Sequence, residues 1–305
     1  MDQLSAIRAF SRVVEKGSFT RAADSLDMPN ATLSKLVREL EAHLGVRLLQ
    51  RTTRRVSVTA EGQAYYERAG RLLRDLEDID TSFSVARATP RGLLRVDVGG
   101  STARDVLVPA LPEFLARYPD IRVELGVSDR PVNLISENVD CVIRGGPLDD
   151  SSLVARHLGD AVLMTCASPA YLKAHGVPAY PDELHNGHRL ISYLLSNGRA
   201  VPFRFTTEAG RLEIKSVHRL GINESNAHLA AAVAGMGLVQ TFGYAAAAAL
   251  QRGTLTEVLR PWRPAPYPFH VVHPNNRHVT RRLRVFIDWL AEVMPGRLGM
   301  GAEPT

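Results

Sequence analysis

The chain has 305 residues, which is enough for two or three domains, and hydrophobic residues make up 45% of it, enough for full-sized cores. The formal net charge is +5. The sequence has no run of about 18 apolar residues, and its first ten residues are too polar for a secretory signal, so we expect a cytoplasmic protein. The two cysteines predict neither a disulfide framework nor a zinc site.

The positive charge is concentrated at the start of the chain. Residues 1–60 hold ten Arg and Lys against six Asp and Glu, and ten minus six leaves +4 of the total +5 in the first fifth of the sequence. Such a local excess is typical of a module that binds phosphate groups, as nucleic-acid-binding domains do.

The first helices are predicted from apolar spacing and from capping residues. Residues 3–16 predict a scaffold helix. Ser18 can cap a short helix, Pro29 breaks it, and Asn30 can cap another helix that runs to about His43.

The helix that starts near Asn30 has one apolar and one polar face. Five apolar residues recur at helical spacing and predict a buried stripe: Leu33, Leu36, Val37, Leu40 and Leu44. Small polar or basic residues fall on the other face: Thr32, Ser34, Lys35 and Arg38. This is the pattern of a helix-turn-helix, so we expect Asn30 and these four residues to face the major groove of DNA, with Ser34 and Thr32 nearest the base edges.

A basic turn follows the helix-turn-helix pattern. Val56 and Val58 alternate with polar residues, as in a strand, so residues 51–55 would lie at the tip of a two-stranded wing. Arg51, Thr53 and Arg54 suit phosphate oxygens. By itself such a turn is as readily a solvated basic loop, but its place directly after the helix-turn-helix favours contact with DNA.

Four segments of this region resemble the amino-terminal domain of LysR-type transcriptional regulators: SFTRAADSL, NATLSKLVRELE, LGVRLLQRTTRR and VTAEG. The resemblance is dense over residues 3–88 and continues more loosely to about residue 294. It implies a DNA-binding transcriptional regulator that responds to a small-molecule effector. Many members carry Gln-Pro or Gln-Ser where this chain has Asn30 and Ala31, so the bases read at that position do not carry over.

Residues 59–88 predict a long helix with a narrow apolar stripe. Thr59 can cap it, and Glu61 suits the positive end of its dipole. Apolar residues then follow at alternating steps of four and three: Tyr65, Ala69, Leu72, Leu76, Ile79, Phe83 and Ala86. This 3.5-residue repeat favours a partner helix, so we expect a homodimer, and the resemblance also implies a tetramer of two dimers. An amphipathic helix lying on its own domain is the alternative.

From residue 89 strands and helices alternate, after a hinge at residues 89–92. The pattern predicts an α/β unit with a mostly parallel sheet, from strands 93–99, 121–127 and 140–145 and helices 103–117 and 132–138. A second unit is predicted from strands 161–168, 189–194, 202–206 and 211–222 and helices 226–234 and 244–251. A late strand (269–274) and a final helix (279–293) follow. The resemblance implies a cleft between lobe I, about 92–162 plus 268–294, and lobe II, about 163–267.

Ligands of open α/β sheets bind outside the carboxyl ends of strands, near the amino-terminal ends of helices. Loops at such positions supply six candidate residues for an anionic effector: Ser101, Thr102, Ser128, Arg144, Ser168 and Asn223. Each of them, taken singly, is also explained by capping or turn chemistry. The Gly-x-Gly segments are too weak to predict a dinucleotide site.

The remaining reactive residues predict no catalytic or metal site, and we expect no cofactor. Cys141 and Cys166 lie among apolar residues and are best explained as buried cysteines, with a redox switch as the alternative. The histidines lack metal-ligand spacing. The prediction is therefore a winged helix-turn-helix (1–58), a linker helix (59–88) and a two-lobed effector-binding domain (89–305), and not an enzyme. A solute-binding module and an enzyme with an appended helix-turn-helix are the alternatives from other classes.

Overall fold

The structure is a computed structural model that describes residues 2–51, 56–83, 89–132, 134, 137, 139–146, 153–185, 187–215, 219–275 and 279–299. The chain divides into two compact units, Met1–Ala88 and Thr89–Thr305. Within the described ranges, no helix combines the length and the apolar character needed to cross a lipid bilayer.

In its described residues the first unit contains four helices and a two-stranded antiparallel sheet. In chain order they are α1 (Gln3–Lys16), α2 (Phe19–Ser25), α3 (Asn30–Leu44), β1 (Leu49–Arg51), β2 (Val56–Val58) and α4 (Ala60–Phe83). The first three helices pack around Phe10, Leu33 and Leu40, all fully buried. The predicted order of helices, strands and long linker helix is therefore confirmed.

The ends of α2 and α3 show which capping predictions hold. Ser18 caps α2 by accepting a hydrogen bond from the Arg21 amide at 3.4 Å, as predicted. The prediction that Asn30 caps α3 is wrong, because the extended Pro29 occupies that position and Asn30 is the first helical residue. Gly45 ends α3 in the left-handed region, with φ of 69°, which glycine adopts at no steric cost.

The apolar stripe of α4 divides between two environments. Tyr65 packs edge-on against Phe10, with ring centroids 5.8 Å apart, and Ala69 is buried in the same core. This part of the helix therefore packs on its own unit, as the alternative interpretation of an amphipathic helix expects. Leu72, the next residue of the stripe, remains 52% exposed. The side chains of Ile79 and Phe83, and all of Ala86, lie outside the described residues.

The second unit begins with lobe I and ends by returning to it. Its elements are β3 (Gly92–Val98), α5 (Gly100–Thr102), a π-helical turn (Ala103–Leu107), α6 (Val108–Arg117), β4 (Ile121–Val127), β5 (Cys141–Gly145), β6 (Leu153–Ala161), β7 (Leu163–Ala167), α7 (Pro169–His175), β8 (Ile191–Tyr193), β9 (Phe203–Thr207), β10 (Gly210–Ile214), β11 (Leu220–Ile222), α8 (Ser225–Val233), β12 (Val239–Phe242), α9 (Gly243–Gln251), β13 (Thr256–Val258), β14 (Tyr267–Pro274) and α10 (Arg281–Leu298). Short 3-10 turns cover 181–185 and 260–262.

Lobe I is organised around a five-stranded sheet in the order β4-β3-β5-β14-β6. β3 runs parallel to β4 and β5, while β14 is antiparallel to both β5 and β6. Four strands therefore run in the same direction, as expected for the predicted mostly parallel sheet: β3, β4, β5 and β6. Only β14, which returns from lobe II, runs in the opposite direction among the described strands of this sheet. One sheet face packs on α6 and α10 through Phe114, Phe286 and Trp289.

Lobe II contains a three-stranded antiparallel sheet, β12-β7-β13, and two separate strand pairs, β8 with β11 and β9 with β10. The chain enters this lobe between β6 and β7 and leaves it between β13 and β14. At the boundary Phe242 stacks on Tyr244, and both rings contact Phe269 of lobe I. The predicted fold class, a winged helix-turn-helix followed by a two-lobed α/β domain, is confirmed.

Several predicted elements of the second unit differ in extent. The helix predicted at 103–117 begins at Gly100, since α5, the π-helical turn and α6 follow one another without a break. The single strand predicted at 211–222 is wrong, because β10 pairs with β9 and β11 pairs with β8. The strands β12 and β13 were not predicted. Most of the predicted helix at 132–138 lies outside the described residues.

Candidate functional sites

The first candidate site is the exposed face of α3. The apolar stripe of this helix turns Leu33, Val37 and Leu40 into the core, which leaves the opposite face in solvent. Thr32, Lys35 and Arg38 are exposed, Asn30 is exposed at the start of the helix, and Ser34 is half-buried beside the core. The structure therefore brings these five predicted residues onto one continuous surface: Asn30, Thr32, Ser34, Lys35 and Arg38.

Hydrogen bonds connect three of these residues along the helix. The Asn30 amide nitrogen donates to Thr20 Oγ1 of α2 at 3.3 Å, and Ser34 Oγ donates to Asn30 Oδ1 at 3.5 Å. Arg38 Nε donates to the Ser34 carbonyl oxygen at 3.2 Å. These contacts hold Asn30 and Arg38 against the helix surface, so their positions relative to a bound ligand are restricted before binding.

Lys35 is a highly accessible charge on this face. Its side chain is 71% exposed, and its Nζ lies 3.9 Å from Glu39 Oε1 one turn away. Exposed ion pairs of this length contribute little, about 0.5 kcal/mol or less. The ammonium group is therefore free to exchange Glu39 for a phosphate or a base.

The strand pair that follows α3 is tied to it by one carboxylate. Glu41 Oε1 accepts hydrogen bonds from the amides of Leu48 at 2.9 Å and Leu49 at 3.0 Å. β1 and β2 then pair from Leu49 with Val58 to Arg51 with Val56. This carboxylate therefore anchors the start of β1 to α3.

The predicted wing residues are only partly described. Arg51 is the last residue of β1, but its side chain, and all of Thr53 and Arg54, lie outside the described residues. Arg47 was not among the predicted residues, yet it lines the same surface groove as Arg38, between α3 and the wing. Its basic side chain, directly after the predicted end of α3 at Gly45, was a usable signal, but sequence does not show that it lies beside Arg38.

The second candidate site lies where lobe I meets lobe II. The first helical residues of α5 and α8 approach each other, and the loop after β4 contributes a carboxylate between them. Asp129 Oδ1 accepts a hydrogen bond from the Gly100 amide at 2.7 Å, and its Oδ2 accepts one from the Ser225 amide at 2.5 Å. Tyr193, at the end of β8, also forms a side-chain hydrogen bond with Asp129. Burial and the Asp129 carboxylate raise the pKa of the Tyr193 hydroxyl well above its ordinary value, so it acts as a donor.

Ser101 and Thr102 are at this boundary, as predicted by their loop position. The Ser101 amide donates to Ser225 Oγ at 2.8 Å, and the Thr102 hydroxyl shares a hydrogen bond of 2.9 Å with Tyr244. Ser101 and Thr102 are both buried. Burial raises the pKa of the Tyr244 hydroxyl, so Tyr244 remains neutral and can donate. These residues join the lobes through their backbone and hydroxyl groups.

Arg144 approaches the same place from β5. Its Nη2 donates to Asp97 Oδ1 at 2.5 Å and to the Arg130 carbonyl oxygen at 3.0 Å. Burial raises the pKa of the Asp97 carboxyl, and the Arg144 charge opposes that rise. Arg144 Nη1 is enclosed and has no hydrogen-bond partner among the described residues. A buried guanidinium donor without an acceptor is costly, so Arg144 has unused capacity for one.

Because Gly99 and Gly100 have no side chains, groups from lobe I and lobe II can come close to their backbone. A methyl group on Gly99 would lie 3.0 Å from Asp129 Oδ1 and 3.9 Å from Arg144 Nη1. A methyl group on Gly100 would lie only 2.6 Å from Glu224 Oε1 and 2.8 Å from Asn226 Nδ2. Side chains from both lobes therefore lie close to the backbone of these two glycines.

The other three predicted effector residues are placed differently. Ser128 Oγ accepts a hydrogen bond from the Arg130 amide at 3.2 Å, which is local turn chemistry at the edge of the site. Asn223 is exposed at the end of β11. Ser168 caps α7 and lies beside Gly235, beyond the far end of α8, roughly 13 Å from Ser225 by the length of that helix. The structure does not bring Ser168 together with the other residues.

The sequence prediction omitted Asp129, Tyr193, Ser225 and Tyr244 from this site. Asp129 lies next to the predicted residue Ser128, in the loop after β4. A carboxylate in such a loop can accept hydrogen bonds from the free amides at a helix start, and this was a signal that the sequence offered. Tyr193 and Tyr244 had no such signal, because a tyrosine at a strand end or helix start is common in any core.

The cysteines and the described histidines form no recognisable site. Cys141 and Cys166 are free and buried, and burial raises the pKa of Cys166 to about 12. Among the described residues, no cluster of three or more His, Cys, Asp or Glu side chains is placed to hold a metal ion.

Comparison with known protein families gives two matches that together cover most of the chain. The family described as "Bacterial regulatory helix-turn-helix protein, lysR family" matches residues 4–63, and the family described as "LysR substrate binding domain" matches residues 87–295. The second match alone spans more than half of the sequence. The first contains α3 and the wing, and the second contains both lobes.

Similar proteins and structures agree with these matches. The chain is 41% identical over 295 residues to an HTH-type transcriptional repressor of Pseudomonas aeruginosa, covering 96% of this chain and 92% of that protein. It is 39% identical over 295 residues to the uncharacterized HTH-type transcriptional regulator YhjC of Escherichia coli, covering 96% and 98%. The solved structure of CrgA, a LysR-type transcriptional regulator from Neisseria meningitidis, is 35% identical with a TM-score of 0.61, covering 94% of this chain and 97% of CrgA. The full-length Vibrio cholerae virulence activator AphB is 27% identical with a TM-score of 0.62, covering 95% and 99%.

Proposed function

The chain belongs to the LysR family of DNA-binding transcriptional regulators, and from that premise we propose that it binds a near-palindromic operator as a dimer and responds to an anionic effector held between its lobes. The relatives are regulators and not enzymes or solute-binding proteins, so those two alternatives are set aside. Because its target is chromosomal DNA, the protein acts in the cytoplasm.

DNA recognition is assigned to α3 and the wing. The observation that carries this assignment is the continuous exposed face of α3, where Lys35 and Arg38 stand beside the hydroxyl and amide groups of Thr32 and Asn30. Hydroxyls and amides suit base edges in the major groove, while basic groups serve phosphates or guanine. Ser34 is half-buried, so Thr32 is the better placed hydroxyl. Arg51, Thr53 and Arg54 remain proposed backbone contacts.

Selection of DNA fragments from a random pool by the purified full-length protein, at about 150 mM salt, tests this assignment. We expect two inverted half-sites with a fixed spacing, as a two-fold symmetric protein requires. Binding that shows no sequence preference would leave only a basic surface and would contradict the proposal.

Dimerisation is assigned to α4. Leu72 continues the narrow apolar stripe beyond the part that packs on its own unit, and 52% of its surface is exposed. An exposed leucine in a heptad stripe is suited to a partner helix. The family resemblance further suggests that two dimers associate into a tetramer on DNA.

Sedimentation of two variants on this helix tests the interface. Leu72→Glu places a charge on the stripe and should dissociate the dimer at micromolar concentrations, whereas Ala64→Glu places the same charge on an exposed position outside the stripe. We expect the Ala64 variant to sediment like the native protein. If the Leu72→Glu variant remains a dimer, Leu72 is not part of the dimer interface and the assignment to this stripe is wrong.

The effector site is assigned to the boundary between the lobes. Arg144 supports this assignment because its enclosed Nη1 lacks an acceptor among the described residues, near the start of α5. Ser101, Thr102, Ser128 and Asn223 lie at or beside the same boundary. A carboxylate would satisfy Arg144 Nη1 with a charge-assisted hydrogen bond.

Calorimetric titration of the full-length protein with aliphatic and aromatic carboxylates tests the effector class. We expect at least one to bind the native protein, and Arg144→Gln to weaken that binding tenfold or more. Effector binding should also change the spacing of protected half-sites in a footprint. Equal affinity of the native and Arg144→Gln proteins would remove Arg144 from the site.

A further inference from the structure

The Asp129 carboxylate contacts both lobes at once. It belongs to the loop after β4 in lobe I, where it accepts from the Gly100 amide, and it also accepts from the Ser225 amide at the start of α8 in lobe II. The Tyr193 hydroxyl, from a different strand of lobe II, adds a further hydrogen bond. One side chain thus connects three elements on two sides of the cleft.

The surroundings show that the lobes are in close contact along this line. The Ser101 amide donates to Ser225 Oγ at 2.8 Å, and a β-carbon on Gly100 would come within 2.6 Å of the Glu224 side chain. Because the amide donors of Gly100 and Ser225 are both satisfied by Asp129, the positive ends of the two helices are already neutralised. A second carboxylate could not share these donors, since like charges at contact distance repel.

We propose that Asp129 is an interlobe latch, which holds the cleft closed in the effector-free protein and is displaced when an anionic effector takes over the Gly100 and Ser225 amides. This inference rests on the proposed effector site. It adds that the effector competes with a carboxylate of the protein itself, so its affinity is reduced by the strength of the latch. Arg144, with one donor free beside Gly99, provides the first contact for the incoming anion.

Removal of the carboxylate and its replacement by a small anion test the latch. The variant Asp129→Ala, in the full-length protein, leaves the two amides without an acceptor, and sodium formate supplies the missing carboxylate. The readout is amide hydrogen exchange of peptides that contain residues 100–102 and 225–228, with sodium chloride at equal ionic strength as the salt control. Asp120→Ala, an exposed carboxylate on the same lobe, is the matched variant.

We expect exchange in both peptides to accelerate about tenfold or more in Asp129→Ala and to slow again with formate but not with chloride. The native protein and Asp120→Ala should show no response to formate at the same concentration. Unchanged protection in Asp129→Ala would overturn the latch. Equal protection of the native and Asp129→Ala proteins by formate would also overturn it, since the anion would then bind without displacing Asp129.

A second variant keeps the proposal testable if Asp129→Ala fails to fold. Asp129→Asn retains the shape of the side chain and one acceptor oxygen, but its amide nitrogen only donates, so one of the Gly100 and Ser225 amides loses its acceptor. Asp120→Asn, the same change at an exposed carboxylate of lobe I, is the control. Faster exchange at 100–102 or 225–228 in Asp129→Asn alone supports the latch, and native-like exchange at both contradicts it.

The carboxylate titration separates this inference from the proposed function. If a carboxylate binds the native protein and binds Asp129→Ala tenfold or more tightly, both stand. If it binds both with equal affinity, the effector assignment stands and the latch fails. If Asp129→Ala loses protection and regains it with formate but no larger carboxylate binds either protein, Asp129 joins the lobes without being displaced by an anion, and the latch fails together with the anionic effector.

Discussion

Gly62 gives the sharpest test of how the DNA-binding unit is held together. It lies in the first turn of α4, where its amide donates to Thr59 Oγ1 at 2.9 Å, the cap that the sequence predicted. A β-carbon at this position would lie 2.0 Å from the Leu48 carbonyl oxygen and 2.9 Å from Val58 Cγ1. Gly62 therefore allows α4 to begin directly against β2 and the residue that precedes β1.

The substitution Gly62→Ala should destabilise the unit. Overpacking against backbone costs about 1–3 kcal/mol, and disturbance of the Thr59 cap costs about 1 kcal/mol more. The higher helix propensity of alanine returns about 1 kcal/mol. Because the contact is with a carbonyl group and not with the end of a flexible side chain, the clash dominates, and we expect a net loss of about 2 kcal/mol.

Urea unfolding of the full-length protein, followed by hydrogen exchange in α1–α3 so that the second unit does not contribute, measures this loss. Gly296→Ala, followed by hydrogen exchange in α10, is the matched control, since it adds the same methyl group to a helix of the second unit where nothing lies within 4 Å. We expect that control to be neutral or stabilising by at most about 1 kcal/mol. A Gly62→Ala protein as stable as the native one would refute the close approach of α4 to the wing.

Three further predictions follow from the described contacts. Lys35→Ala should reduce the slope of log affinity for selected DNA against log salt by about one unit, whereas Lys173→Ala, exposed on α7, should leave it unchanged. Burial lowers the pKa of His228, so its contribution to stability is present above the unfolded pKa of about 6.5 and is lost as pH falls towards the folded value. The variant His228→Gln should therefore lose less stability than the native protein between pH 7.5 and 5, and an equal loss would contradict this. Cys141 and Cys166, both buried with raised pKa values, should resist iodoacetamide at pH 8 until urea is added, and rapid labelling of the native protein would contradict their burial.

The helix-turn-helix was predictable because its signals are local. Ser18, Pro29 and Gly45 each act within one helical turn, and the apolar stripe of α3 repeats within fifteen residues. The same holds for β4, whose predicted and observed limits coincide. Where the local signal was ambiguous the prediction failed, as with Asn30, since Pro29 was already extended and took the capping position.

The sequence by itself determined the class of protein, the order of its elements in the first unit, and which residues face away from the core of α3. Tertiary structure alone decided which loops meet in the second unit. Asp129 and Ser225 are 96 positions apart and share a hydrogen bond, while Ser168, in a loop with the same local features, lies beyond the other end of α8. Local patterns specify where a strand ends, but the neighbours of that end depend on how the two lobes pack, which is a property of the whole chain.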